Sequence, residues 1–392
     1  MPPLAASIFF HAIGATSAAC CYVPQKKVRG WSWQSYWLLQ AAFCWLLLPI
    51  IGAFLTVPEF WSVVQAAPRE AMLRSFLLGA AYGIGGTAFG VAIRYVGFSI
   101  TYAAAIGIST AVGTAYAVAK GGTTLADSAS NLTLFWGKSG AGWIVAGIVL
   151  GLVGVACCGV AGRWKEGDHA RAAGVPLSDR NLITGLALCL LAGILSAVYG
   201  ISLTEGAPIA KLAEAKAAGH TVLGIDAATF CSNAIYPFSN SGAFLTTAIY
   251  CLFLHLRQGT LREMVSGSGP GVDGAAFRMN WGMAILTGCL WYAQFFFYGF
   301  GHFYILKVAG FEQTCWAIHM ILLILVGTLI GVVFKEWKGC GRGTHVALGT
   351  AIALLIAGKL LLDYGNYLGT RNPGKETQST SAAEVRHQRN TI

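Results

Sequence analysis

Glu312, Trp316 and His319 follow one another at i, i+4 and i+7 within an apolar run from Val308 to Phe334. That spacing puts all three on one stripe of a helix. The chain holds only 16 carboxylates among 392 residues, and nearly all the others fall in polar gaps. A carboxylate surrounded by hydrocarbon costs about 2.5 to 3.5 kcal/mol on insertion scales, so one retained there is expected to carry ions or bind substrate. A proton moving down a membrane potential releases about 2.3 kcal/mol per 100 mV, which can drive uphill uptake of a second solute. The alternative for Glu312 is a side chain that snorkels to the membrane surface or pairs with a fixed base such as Lys307. Asp363 is the weaker rival, because Lys359 precedes it by one helical turn and is placed to neutralise it.

A second set, Trp291, Gln294, Tyr298 and His302, also repeats at helical spacing and can share one face. Trp and Tyr commonly fill core space or sit at membrane interfaces. Gln294 is more telling, since an amide inside an apolar span needs partners, supplied by a solute or by a neighbouring helix. His11 can bind a hydroxyl, relay a proton, or be a satisfied buried histidine. Asn233 and Tyr236, beside Pro237 and Asn240, make a polar, kinked segment of the kind tolerated where a helix lines a cavity.

These side chains need a membrane scaffold to hold them. Hydrophobic residues make up 56% of the chain and charged residues 11%, with mean hydropathy +0.62, which excludes an ordinary soluble domain. About ten apolar runs are each long enough to cross a bilayer as a helix. They extend from Leu4 to Val23, Tyr36 to Val57, Leu73 to Ile93, Ser99 to Ala119 and Trp143 to Gly162. The second group comprises Leu182 to Leu203, Ala227 to Leu256, Trp281 to Phe303, Val308 to Phe334 and Val346 to Tyr367. They lack the alternation of barrel strands, so a helical bundle is expected.

The net charge of +10 comes from basic residues scattered over connections and marks topology, with no nucleic-acid partner implied. Odd-numbered connections carry about twice the Lys and Arg of even-numbered ones, which places them in the cytoplasm and both termini outside. Eleven cysteines lie mostly in apolar runs without metal or redox spacing, so no metal or cofactor is expected. A hydrolase would need a nucleophile and base pair or a metal cluster, and neither pattern is present, so the chain does not read as an enzyme. From Arg371 onward the chain turns polar and reads as a disordered tail.

Gly14, Ser17 and Ala18 of the first run recur as Gly193, Ser196 and Ala197 of the sixth. Gly97, Phe98 and Thr101 of the fourth recur as Gly310, Phe311 and Thr314 of the ninth, each followed by Val-Gly-Thr ending at Thr114 and Thr328. A repeat offset by five crossings inverts its second copy, as in secondary transporters. Small residues are also common in any packed membrane helix. The expected organisation is an N-terminal five-helix half over 1–167, a C-terminal half over 168–368, and a tail over 369–392.

The stretch from His11 to Trp33, with Cys20-Cys21-Tyr22-Val-Pro24-Gln-Lys26-Lys27 at its centre, closely resembles the start of bacterial L-rhamnose/proton symporters. Trp291 to His302, Trp316-Ala-Ile-His319-Met and Lys335-Glu336-Trp337 resemble the same family's eighth and ninth helices. The similarity covers essentially the whole hydrophobic chain, departs from it in the Gly-rich stretch Gly267 to Gly274 and in the tail, and is looser around Glu312. Membership of that family, within the drug/metabolite transporter superfamily, implies ten helices in two inverted halves, a bacterial inner-membrane location, and sugar uptake coupled to protons. The sites expected on this reading are Glu312, His319 and His11 for the proton. Gln294, Trp291, Tyr298, Trp316, Asn233 and Tyr236 are the expected sugar contacts. The working unit is expected to be a monomer. The alternative is a transporter or exporter of the same fold with another sugar, metabolite or drug as cargo; a nucleotide sugar would require cationic residues in the cavity.

Overall fold

The computed structural model describes residues 2–119, 136–137, 139–174, 179–266, 273–307, 315–333, 335 and 337–371. It is an all-α membrane protein, with one two-stranded hairpin pairing Thr221–Val222 with Ile225–Asp226. Its main helices are α1 (Pro3–Cys20), α2 (Trp33–Ala41), α3 (Leu48–Thr56), α4 (Phe60–Ala66), α5 (Arg69–Ala119) and α6 (Ala141–Ala173). They are followed by α7 (Asp179–Glu205), α8 (Ala207–Lys216), α9 (Tyr236–Gln258), α10 (Gly274–Leu306), α11 (Cys315–Val333) and α12 (Arg342–Arg371). Seven helical segments among the described residues are long and apolar enough to span a bilayer, and Ile100–Gly113 and Ile318–Val333 are shorter apolar helices.

The third and fourth expected crossings both lie in α5, whose helical residues continue from Arg69 to Ala119 without an intervening loop. The chain nonetheless doubles back. Ser75, Gly85 and Val96 meet Ser202, Leu195 and Gly185 of α7 in descending order, whereas Ala105 and Ile108 return to Gly193. The Phe89 and Tyr102 rings, 5.1 Å apart, could not approach so closely on a straight helix rising about 1.5 Å per residue.

Local sequence explains two other departures from straight crossings. The second apolar run passes from α2 through a π-helical segment, Ala42–Leu47, into α3. Pro49 lacks an amide hydrogen and its ring crowds the carbonyl four residues back, that of Trp45, so the wider turn relieves the clash. The seventh run, expected from Ala227 to Leu256, begins instead as a 3-10 helix over Ala227–Ala234 and becomes α-helical at Tyr236. Pro237 sits in the first turn of α9, where its missing N–H has no intrahelical partner to lose.

The stretch after Glu205 is the separate short helix α8, tied by Lys216 to Glu59 at 2.8 Å. The expected boundary at 167/168 falls inside α6, which ends at Ala173 with Gly174 left-handed at φ 68. Asp168 then accepts hydrogen bonds from the Gly341 amide and the Thr344 hydroxyl, both at 2.7 Å, and so caps α12 from another element.

Helices α6 and α12 approach backbone to backbone. A methyl added at Gly358 would lie 2.8 Å from the Gly151 nitrogen and 2.9 Å from the Gly147 oxygen. Between membrane helices, where lipid is as apolar as leucine, such small-residue seams supply close dispersion contacts. The remaining helices surround a core in which α1 packs on α10 and α11 while α7 packs on both limbs of α5.

Candidate functional site

A cavity lies among α1, α5, α7, α10 and α11, walled by aromatic rings including Tyr22, Tyr82, Tyr102, Tyr199, Trp291 and Trp316. Gln294 and Ser196 add polar groups, and no charged residue lines it among the described residues. Trp291 is held edge-on by Tyr22, Trp37 and Trp45 at centroid distances of 5.3, 5.8 and 5.0 Å. Its plane is therefore fixed before any solute arrives.

The Gln294 amide makes no hydrogen bond to a described residue, and the Trp316 indole nitrogen is buried without a partner. The Trp316 ring lies between Gly113 and Gly200; a methyl at Gly113 would come within 2.6 Å of it. Tyr199 donates its hydroxyl hydrogen to Asn240 Oδ1 at 2.6 Å, leaving the buried Asn240 amide nitrogen unpaired. Buried polar groups in folded proteins are nearly always satisfied. Open donors beside a ring-lined space suit a neutral solute that offers hydroxyls to the amide and indole and apolar faces to the rings.

Toward the end of the bundle where α1 begins, four side chains form a compact polar group. His11 Nδ1 lies 3.3 Å from His319 Nδ1, His11 Nε2 lies 3.3 Å from Cys315 Sγ, and His302 Nδ1 lies 3.4 Å from the same sulfur. Tyr298 sits against them, its ring 5.3 Å from His11 and 5.1 Å from His319. A neutral imidazole donates from one nitrogen and accepts at the other. Two facing imidazoles can therefore share one hydrogen, and an added proton makes an imidazolium hydrogen-bonded to its neighbour. The pair adjoins the cavity wall, because Gly14 packs on His319 Cε1 and on the Gln294 carbonyl together. His319 Nε2 is buried and has no partner among the described residues.

Of the residues singled out from the sequence, Trp291 and Gln294 of α10 and Trp316 of α11 line the cavity, while His11 of α1, Tyr298 of α10 and His319 of α11 meet in the polar group beside it. Glu312 lies outside the described residues. Of the expected sugar contacts, Tyr298, Asn233 and Tyr236 are not among the cavity-lining residues. Asn233 donates to Thr56 Oγ1 at 2.7 Å, tying the 3-10 segment to α3, and Tyr236 donates to the Phe295 carbonyl at 2.6 Å.

Several cavity residues were not anticipated: Tyr22, Tyr82, Tyr102 and Tyr199, and behind them Gln40, fully buried on α2 with neither end of its amide paired. An amide inside an apolar run, the signal that singled out Gln294, is equally present at Gln40.

Tyr102 and Leu323 also line a second cleft, with Lys26, Thr328 and Trp337, at the end of the bundle where α1 finishes. Tyr102 donates to the Ala18 carbonyl at 3.0 Å and forms the partition between the two spaces. At the opposite end, Phe10, Phe230, Phe296, Phe297 and Phe300 pack ring against ring, with Phe10 and Phe230 5.0 and 4.9 Å from Phe300.

A family model described as L-rhamnose-proton symport protein (RhaT) matches residues 3–365. The L-rhamnose-proton symporter of Pectobacterium atrosepticum is 31% identical over 358 residues, 91% of this chain and 96% of that protein. That of Cronobacter sakazakii is 31% identical over the same shares, and that of Escherichia coli O1:K1 is 31% identical over 352 residues, 89% of this chain and 95% of that protein.

Proposed function

The chain belongs to the L-rhamnose-proton symport protein family, and from that premise we propose that it imports L-rhamnose by proton symport through the ring-lined cavity. The observation that carries this reading is the juxtaposition of an uncharged, hydroxyl-matching cavity with the His11–His319 pair at its wall. Gln294 and the Trp316 indole supply hydrogen bonds to the sugar, while Trp291 and the tyrosines cover its apolar faces and the methyl group that distinguishes a deoxyhexose. The His pair, with Glu312, takes the proton. The family is one of transporters, and no reaction is assigned to the site.

Packing supports two inverted five-helix halves. Gly14 of α1 rests on α10 and α11, and its counterpart Gly193 of α7 rests on the second limb of α5, with Gly85 of the first limb facing Ala192 and Leu195. That is the exchange of partners an inverted repeat requires. The second set of repeat residues falls largely outside the described side chains. On this reading α5 supplies the third and fourth of ten crossings. The cleft beside Lys26 and Trp337 is the cytoplasmic exit, and the phenylalanine block closes the periplasmic side. Alternating access then means opening that block while Tyr102 and its neighbours close. The protein works as a monomer in the bacterial inner membrane with both termini periplasmic.

Labelled L-rhamnose uptake into proteoliposomes under an imposed inward proton gradient tests the proposal. Accumulation that collapses when the gradient is dissipated is the expected result, and gradient-independent equilibration would refute symport.

A further inference from the structure

Ser109 is fully buried on the second limb of α5, and among the described residues its hydroxyl is the one serine or threonine oxygen buried without a partner. A hydroxyl inside a helix commonly donates to the carbonyl one turn back, as the adjacent Thr110 does to Ile106 at 2.8 Å. Left open, a buried hydroxyl has given up its water and recovered no bond in exchange. At 3.6 residues per turn, Tyr102, Ile106, Ser109 and Gly113 fall within about a sixth of the helix circumference. Tyr102 and Ile106 line the cavity, and Gly113 backs onto Trp316, which lines it as well. Ser109, not itself a lining residue, stands at the margin between them.

Its level in the bundle is fixed by α7. Gly193 meets Ala105 and Ile108, and one turn and more further on both helices reach the Trp316 ring. A methyl at Gly113 would lie 2.8 Å from the indole nitrogen, and one at Gly200 would lie 3.4 Å from Cδ2. The second limb and α7 therefore run side by side in the same direction. Ser109, four residues before Gly113, is level with Ser196, four residues before Gly200. Ser196 lines the cavity and makes no hydrogen bond to a described residue. From the α10 side, Tyr298 stands edge-on to Trp316 at 5.8 Å, and Gln294, one turn before it, lines the cavity. Two hydroxyls, an amide and an indole N–H thus lie within about one helical turn of each other in height.

We infer that Ser109 and Ser196 are specificity-determining contacts to the sugar, each holding a different ring hydroxyl, and that the hydroxyl seated at Ser109 is also the one that takes the Trp316 N–H. The indole nitrogen only donates, whereas a serine hydroxyl both donates and accepts. A sugar hydroxyl that accepts from Trp316 passes its own hydrogen to Ser109, and both open groups are satisfied at once. A solute without that hydroxyl leaves the two buried groups unpaired, which is the strongest form of rejection an uncharged site can exert. The inference rests on the reading of this cavity as the sugar site.

The test uses analogues of L-rhamnose that each lack one ring hydroxyl, competing against counterflow of labelled L-rhamnose in proteoliposomes. The unmodified protein, Ser109→Ala and Ser196→Ala are compared. The inhibition constant of unlabelled L-rhamnose should rise about tenfold in each variant. The analogue lacking the hydroxyl held at Ser109 should compete equally with the unmodified protein and with Ser109→Ala, and a different analogue should do so for Ser196→Ala. Sugar-free Ser109→Ala should melt no lower than the unmodified protein, because the change deletes an unpaired hydroxyl. A uniform loss against every analogue marks a packing role, and unchanged constants mark a hydroxyl served by trapped water; either result overturns the inference. Failure of L-rhamnose to compete in the unmodified protein overturns the transport reading itself.

Discussion

His11 and His319 stand 308 residues apart in the chain and face each other Nδ1 to Nδ1 across α1 and α11. Removing either ring leaves the facing Nδ1 of the other, which is buried, without a partner among the described residues. We expect His319→Gln and His11→Gln each to lose uphill uptake while counterflow continues. A gradient equivalent to 100 mV supports an accumulation ratio of about 50-fold for one proton per sugar. The variants should fall to a ratio near unity, measured as labelled L-rhamnose inside against outside.

Glu312→Gln should abolish gradient-driven accumulation while leaving sugar binding measurable by tryptophan fluorescence. Accumulation with unchanged pH dependence would make Glu312 a structural residue and leave the proton to the histidines.

Gln294→Leu removes an amide that finds no partner among the described residues and lines the cavity. A sugar hydroxyl then loses its acceptor or donor, a penalty of about 1–3 kcal/mol. The apparent affinity for L-rhamnose should weaken roughly ten- to a hundred-fold. Thermal unfolding of the sugar-free protein should stay unchanged, which separates a binding defect from a folding one.

Gly358→Leu should lower the melting temperature, because the new side chain meets the backbone of Gly147 and Gly151 inside 3 Å, and overpacking typically costs about 1–3 kcal/mol. Gly349→Ala is the control, since a methyl there meets nothing within 4 Å. Equal melting temperatures for the two variants would remove the seam as a source of stability.

What was readable in advance follows a simple division. Spacing along one helix reports which residues share a face, so Trp316 with His319, and Trp291 with Gln294 and Tyr298, were legible as stripes. It does not report which stripes meet. The contact of His319 with His11 and the four cavity tyrosines depend on tertiary packing that no local period encodes. Polar residues in an apolar run were also ambiguous in a specific way: Gln294 finds no partner among the described residues, whereas Asn233 finds Thr56. The turn inside α5 was hidden because its two limbs join without a polar loop, and the π segment of the second run because its cause, Pro49, acts on a carbonyl four residues away.

The cavity described above has rings, an amide and hydroxyls but no Lys or Arg among the described residues that line it. A phosphate dianion entering it would exchange water for unpaired burial, which is prohibitive. A phosphorylated sugar is therefore shut out of the site from either side of the membrane, and the cargo that fits it is the free, uncharged sugar.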